Sequence, residues 1–156
     1  MKTATLKELK AELNLLIPLE LINICIHLSK YKKENKELLS YLLFESSNEL
    51  EYVKSVKNHL DEQFEDVNKN NLYLTKKMLR KILKTTNKYI KYSDSKKTEV
   101  ELLIHFCKKT KSLGIRLPEN TALGNLYLRQ IQKIRKVLAT LHEDLQYDYA
   151  EEIKAL

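Results

Sequence analysis

The residues most able to do chemistry in this chain are cations. No acid lies between Asp66 and Asp94, while Lys69, Lys76, Lys77, Arg80, Lys81, Lys84, Lys88 and Lys91 supply eight positive charges there. The net charge is +7 over 156 residues, so everything outside that segment sums to −1. At 100° per residue, Lys77, Arg80, Lys81, Lys84, Lys88 and Lys91 fall in a strip about 100° wide and about 21 Å long. Tyr73 and Asn87 share the strip, and Leu79, Ile82, Leu83, Thr86 and Ile90 take the opposite half. Like charges three and four residues apart repel. The pairs within the strip together cost about 1–2 kcal/mol unless an anion compensates.

A linear row of cations matches a row of phosphates, and Tyr73 and Tyr92 offer rings on which unpaired bases could stack. A shorter strip, Arg129, Lys133 and Lys136, could widen the surface. Lysine outnumbers arginine five to one in the main strip, which favours charge attraction to a backbone over bidentate reading of bases. The expected function is therefore a non-catalytic helical module presenting this helix to an anionic partner. Nucleic-acid backbone without strong sequence specificity comes first, and a scaffold or adaptor binding an acidic protein segment is the alternative. A membrane is not expected, because the apolar half of the helix is needed for a core and the chain has no tryptophan to anchor at an interface.

The compensating anion could also be internal. Asp61, Glu62, Glu65 and Asp66 precede the turn before the basic helix and could reach Lys76, Lys77 or Arg80. Beyond them, Lys84, Lys88 and Lys91 would face Lys54 and Lys57. The C-terminal acids Glu143, Asp144, Asp148, Glu151 and Glu152 are opposed only by Lys154. They read first as a solvated final helix. The sharper expectation is that they dock on the basic segment, within the chain or in a head-to-tail homodimer, with Tyr147 and Tyr149 adding contact area.

Catalytic and metal-binding patterns are lacking. His27, His59, His105 and His142 are scattered, and His105 and Cys107 point about 160° apart on a helix. No histidine pair has metal-ligand spacing. The carboxylate pairs Glu62/Asp66 and Asp144/Asp148 share helix faces, but a di-iron bundle needs a repeated Glu-x-x-His step. With two glycines in the chain there is neither a phosphate-cradling loop nor a nucleophile elbow. No enzyme activity, cofactor or metal is expected. An enzyme would instead need a deep pocket gathering titratable groups from several helices. Cys25 and Cys107, each in an apolar helical pattern, are expected to be reduced and buried, as in a cytoplasmic protein.

The elements that must position these residues are helices. Two glycines and two prolines leave too few turn-formers for a sheet protein. Apolar residues recur near every 3.6 positions from end to end. Helices are expected over about 5–16, 18–30, 35–45, 49–67, 72–92 and 98–113, then from about 122 with a break near His142–Asp144. Pro18 suits a first turn, Asn48 with Glu51 and Thr98 with Glu101 suit capping boxes, and Gly114 suits a left-handed C-terminal cap. The helix after Pro18 is apolar nearly all round and is expected to be buried. The fold class is all-α, a single helical domain over 1–156. Its seven or eight antiparallel helices form either a right-handed helical-hairpin array (an α-α superhelix) or a compact bundle.

Two stretches, His142-Glu143-Asp144-Leu145-Gln146-Tyr147-Asp148-Tyr149 and Leu102-Leu103-Ile104-His105-Phe106-Cys107, resemble an all-helical bacterial family to which no activity is assigned. That resemblance implies an all-helical fold and carries over no functional residue. The recurrence of helix pairs every 40–50 residues is similar to HEAT or armadillo arrays in architecture only.

Overall fold

The computed structural model describes residues 2–156, and among them every regular element is helical. The chain forms two compact units, the first ending at Phe44 and the second spanning Glu45–Leu156.

In the first unit, α1 (Leu6–Leu13) opens on a capping box in which Thr5 Oγ1 accepts from the Glu8 backbone N–H and the Glu8 carboxylate accepts from the Thr5 N–H. Pro18 begins α2 (Pro18–Tyr31), where its missing N–H is one of the helix's orphan donors anyway. The hairpin closes through α3 (Lys33–Ser40), with Asn35 Nδ2 donating to the Leu28 carbonyl at 2.8 Å. α3 runs into a π-helical turn, Tyr41–Glu45.

Here the expectation of a buried second helix fails. No residue of α1, α2 or α3 is buried, and Cys25 is exposed. An all-round apolar helix is buried only where neighbours surround it. α3 covers a single flank of α2, the one bearing Cys25, Leu28 and Ser29.

The second unit contains α4 (Glu49–Glu65), α5 (Leu72–Ser93), α6 (Lys96–Ser112), α7 (Ala122–Leu138) and α8 (Glu143–Lys154). Its axis is α6, which packs against α4, α5 and α7 and buries Val100, Leu102, Leu103, Ile104, Phe106 and Cys107. The Phe64 and Phe106 rings meet at 5.7 Å across α4 and α6. Ser95, not Thr98, caps α6, accepting from the Thr98 N–H. Thr98 itself is buried, and its hydroxyl donates to Glu49 at 2.6 Å. Asn48 caps α4 as expected, but Leu50 is exposed. α7 starts on its Thr121 cap, and α6 is closed by Gly114 at φ +70°.

The ties between alternate helices keep a constant offset. Lys57 meets Glu101, Asp61 meets His105, Lys108 meets Glu152 and Lys111 meets the Ala155 carbonyl, each pair 44 residues apart. Equal offsets at successive positions mean that α4, α6 and α8 run in the same direction in fixed register. Among the described residues, no helix is long and apolar enough to cross a membrane.

Candidate functional site

The basic strip forms because α5 has a polar start, an apolar back and no acid. Asn71 Oδ1 accepts from the Tyr73 and Leu74 N–H groups at 3.0 and 3.1 Å. Leu79, Ile82 and Ile90 are buried, with Thr75 and Thr86 among them. Those two hydroxyls donate to the Asn71 and Ile82 carbonyls one turn back, so the buried face leaves no hydroxyl unpaired. Asp94, at φ 53°, turns the chain out of the helix.

With that face inward, Lys77, Arg80, Lys81, Lys84 and Lys91 are all exposed. Among the described residues none of these five lies within 4.0 Å of a carboxylate. Lys88 is half-buried, its Nζ 4.6 Å from the Tyr89 ring centre and 5.9 Å from that of Tyr92. Tyr73 is exposed at the start of the strip, beneath the Lys76 ammonium. Tyr92 is buried, so it packs and has no face free for a base.

Asp61, one of the acids expected to neutralise the strip, points elsewhere, and Glu62 lies 3.6 Å from His59 of its own helix. On α4 the flank facing α5 carries Tyr52, whose hydroxyl donates to the Tyr89 carbonyl, and His59, edge-on to the Tyr89 ring. Asp61 lies on the opposite flank, roughly 160–180° away from those two. There it accepts from His105 Nε2 at 2.6 Å and Lys109 Nζ at 2.9 Å. Within the chain the C-terminal acids are engaged away from α5: Glu152 pairs with Lys108 of α6 at 2.6 Å, Glu151 with Lys154 and Asp144 with His142.

Of the second strip, Lys133 is spent on Glu99 at 2.7 Å and donates to Asn87 Oδ1 at 3.3 Å. Arg129 and Lys136 remain exposed. The Lys133–Asn87 bridge, 46 residues apart, sets α7 beside α5. At that offset Arg129 comes within one residue of level with Lys84, and Lys136 within one of Lys91.

No protein-family model, no curated protein and no solved structure matches the chain.

A second feature escaped the sequence reading. A cleft of about 300 Å³ between α4, α6 and α8 is lined by Lys57, Glu101, Ile104, His105, Lys108, Tyr149 and Glu152. It gathers titratable groups from three helices, the arrangement an enzyme would need. Their mutual geometry limits what they can do. Glu101 accepts from Lys57 Nζ at 3.0 Å and from the Tyr149 hydroxyl at 2.9 Å. Burial first, and then the bond to Glu101, holds the Tyr149 phenol well above its ordinary range. Burial holds the His105 imidazole below its usual value despite Asp61, and its Nε2–H donates a hydrogen bond to the ionised carboxylate. Each cation already faces a carboxylate, and no serine, threonine or cysteine lines the space. Cys107 on the same helix is buried, and burial pushes its thiol up to about 12, which leaves it inert at neutral pH. Among the described residues no cluster of three His, Cys, Asp or Glu side chains is placed to hold a metal ion. The signal for this cleft was present in the sequence as complementary groups at a fixed separation, Lys57 with Glu101 and Asp61 with His105.

Proposed function

We propose that the protein is a non-catalytic helical module that binds nucleic-acid backbone along α5. The observation that carries the reading is the five exposed cations Lys77, Arg80, Lys81, Lys84 and Lys91, which have no carboxylate partner although acids abound on α4 and α8. A folded chain free to interleave glutamate with lysine, as ordinary solvated helices do, forgoes that small stabilisation here. An external polyanion restores it.

Arg129 and Lys136 extend the same face, and Tyr73 gives one exposed ring at its edge. Lys88, half-buried against Tyr89 and Tyr92, stiffens the strip more than it binds. The preponderance of lysine makes contacts to phosphate tolerant of sequence. The constant 44-residue offset fits a helical-hairpin array, in which α5 and α7 lie side by side along one face and add their cations.

The test is a salt titration of binding to labelled duplex and single-stranded oligonucleotides of mixed sequence. With five phosphates engaged, log affinity for the duplex falls against log salt with a slope of about −4.5. The Lys81→Glu, Lys84→Glu double variant, altered only at exposed positions, loses binding while its circular dichroism is unchanged. Unaltered affinity in that variant overturns the reading. Indifference to both oligonucleotides, with strip-dependent binding to polyglutamate, replaces nucleic acid by an acidic protein segment.

A further inference from the structure

The N-terminal unit carries two apolar seams that nothing within it covers. On α1, Leu6, Leu9 and Leu13 lie in one stripe, exposed by 84, 46 and 41%. On α2, Leu19, Ile22 and Ile26 lie in another, exposed by 63, 57 and 45%, on a different flank from the groove that faces α3. Both seams have the three-then-four spacing with which one helix presents knobs to another. Leu15 and Ile17, between the two helices, are exposed as well.

We infer that these seams are the interface of a symmetric homodimer, α2 of one copy packing on α2 of the other with Ile22 against Ile22 at the two-fold axis. Three observations carry this. The first is size: a unit of about 44 residues in which no residue of α1, α2 or α3 is buried has no core of its own, and units this small generally need oligomerisation or staples to hold their helices.

The second is area. A large aliphatic side chain carries roughly 100 Å² of apolar surface. The eight residues Leu6, Leu9, Leu13, Leu15, Ile17, Leu19, Ile22 and Ile26, on average more than half exposed, therefore offer about 500 Å². A homodimer interface is about 65% apolar, so this corresponds to roughly 750 Å² per partner, close to the usual share of about 800 Å².

The third is charge. The chain as a whole is strongly basic, but α1 and α2 together carry Lys7, Lys10 and Lys30 against Glu8, Glu12 and Glu20. Two copies can therefore meet here without net repulsion. The same neutrality offers no attraction to an anionic membrane, which would select lysine and arginine on the polar faces. A seam centred on Ile22 is also close to self-complementary: in an antiparallel pair it brings Leu19 within one residue, about 1.5 Å, of level with Ile26, the kind of match a closed two-fold assembly requires.

Light scattering on the full-length chain tests the inference. Interfaces of this size bind with micromolar affinity or better, so at about 50 µM the mass is twice 18.4 kDa. The Leu19→Asp, Ile22→Asp double variant returns it to 18.4 kDa with helical content retained, both positions being exposed in the single chain. An independent probe is Ile22→Cys in a Cys25→Ser background. Because Cys107 is buried, mild oxidation then yields a disulfide-linked dimer, whereas Leu50→Cys in the same background, an exposed position outside the seams, does not. A wild-type mass of 18.4 kDa at that concentration overturns the proposal, as does a dimer that survives both aspartates. A monomer that instead sediments with zwitterionic phosphatidylcholine vesicles, which do not attract the basic strip, also overturns it and assigns the seams to a lipid surface. None of these readouts depends on the cations of α5.

Discussion

Asp61 Oδ1 lies 2.6 Å from His105 Nε2, across the boundary between α4 and α6. The contact decides the electrostatics of the second unit. A carboxylate two turns from the α4–α5 corner was free, by sequence, to turn toward the lysines of α5. Helical geometry sets it on the other flank, where His105 and Lys109 both donate to it. One acid thus joins two helices instead of meeting the basic strip.

The same pair makes stability depend on pH, with a definite sign. Burial lowers the His105 value below 6.5, so the unfolded chain takes up a proton more readily than the folded one. Stability from this group is complete above about pH 6.5 and declines as pH falls below it. Burial alone would raise Asp61, but hydrogen bonds from Lys109 and His105 bring it below 3.8. Its contribution is present above about pH 3.8 and is lost as pH falls through the lower folded value. Both effects act in one direction. The urea midpoint therefore drops between pH 7 and pH 5, and His105→Gln, which keeps a donor toward Asp61 and cannot titrate, flattens that part of the curve. An unchanged pH profile in the variant would remove His105 from this account.

Single-cation substitutions separate binding from bracing. Lys84 is exposed and unpaired with any acid, whereas Lys133 bridges Glu99 and Asn87. Lys84→Gln should reduce the magnitude of the salt slope by about 0.9, one phosphate contact, with a thermal midpoint that does not fall and rises slightly as three like-charge pairs are relieved. Lys133→Gln should leave the slope intact and cost about 1 kcal/mol of stability, since Glu99 keeps no cation. Oligonucleotide titrations beside thermal melts distinguish the two. The opposite assignment of effects would reverse the roles given to α5 and α7.

Much of the helical punctuation was legible in the sequence because it is local. Asn48 and Gly114 mark termini through hydrogen bonds and backbone angles confined to a few residues. Burial was not legible. α2 has the composition of a central helix and is exposed, while α6, with Lys96, Lys97, Lys108, Lys109 and Lys111 at its ends, is the axis. The central turns of α6, from Val100 to Cys107, carry the core, and its terminal lysines reach outward past it. What surrounds a helix depends on contacts about 44 residues away, which periodicity within a window cannot see. The strip itself was legible as a pattern, but the burial of Tyr92 and the pairing of Lys133 were not.

The two glycines should respond differently to alanine. Gly114 sits at φ +70° with nothing within 4 Å of a built Cβ, so Gly114→Ala costs only backbone strain, about 1 kcal/mol. Gly124 has an ordinary helical backbone, but a Cβ there would stand 2.1 Å from the Pro118 carbonyl oxygen. Because that obstacle is backbone, Gly124→Ala must displace the loop before α7, at a cost of about 2–3 kcal/mol. Chemical denaturation of both variants checks the order, and equal losses would contradict the close approach at Pro118.

The attachment of α8 rests on few groups, since none of its residues is buried. Tyr149 donates to Glu101 at 2.9 Å, Glu152 pairs with Lys108 at 2.6 Å, and Lys111 donates to the Ala155 carbonyl at 2.7 Å. A helix held mainly by hydrogen bonds at a half-exposed edge opens before the core does. Tyr149→Phe removes one bond to a carboxylate, worth about 1 kcal/mol where solvent partly replaces it. Amide hydrogen exchange in Glu143–Lys154 should then quicken about five-fold, with α4 to α7 unchanged. Glu101→Ala should loosen α8 and also release Lys57, so its effect reaches α4. If Tyr149→Phe quickened exchange equally throughout α6, α8 would be part of the cooperative core and not an appendage fastened to it.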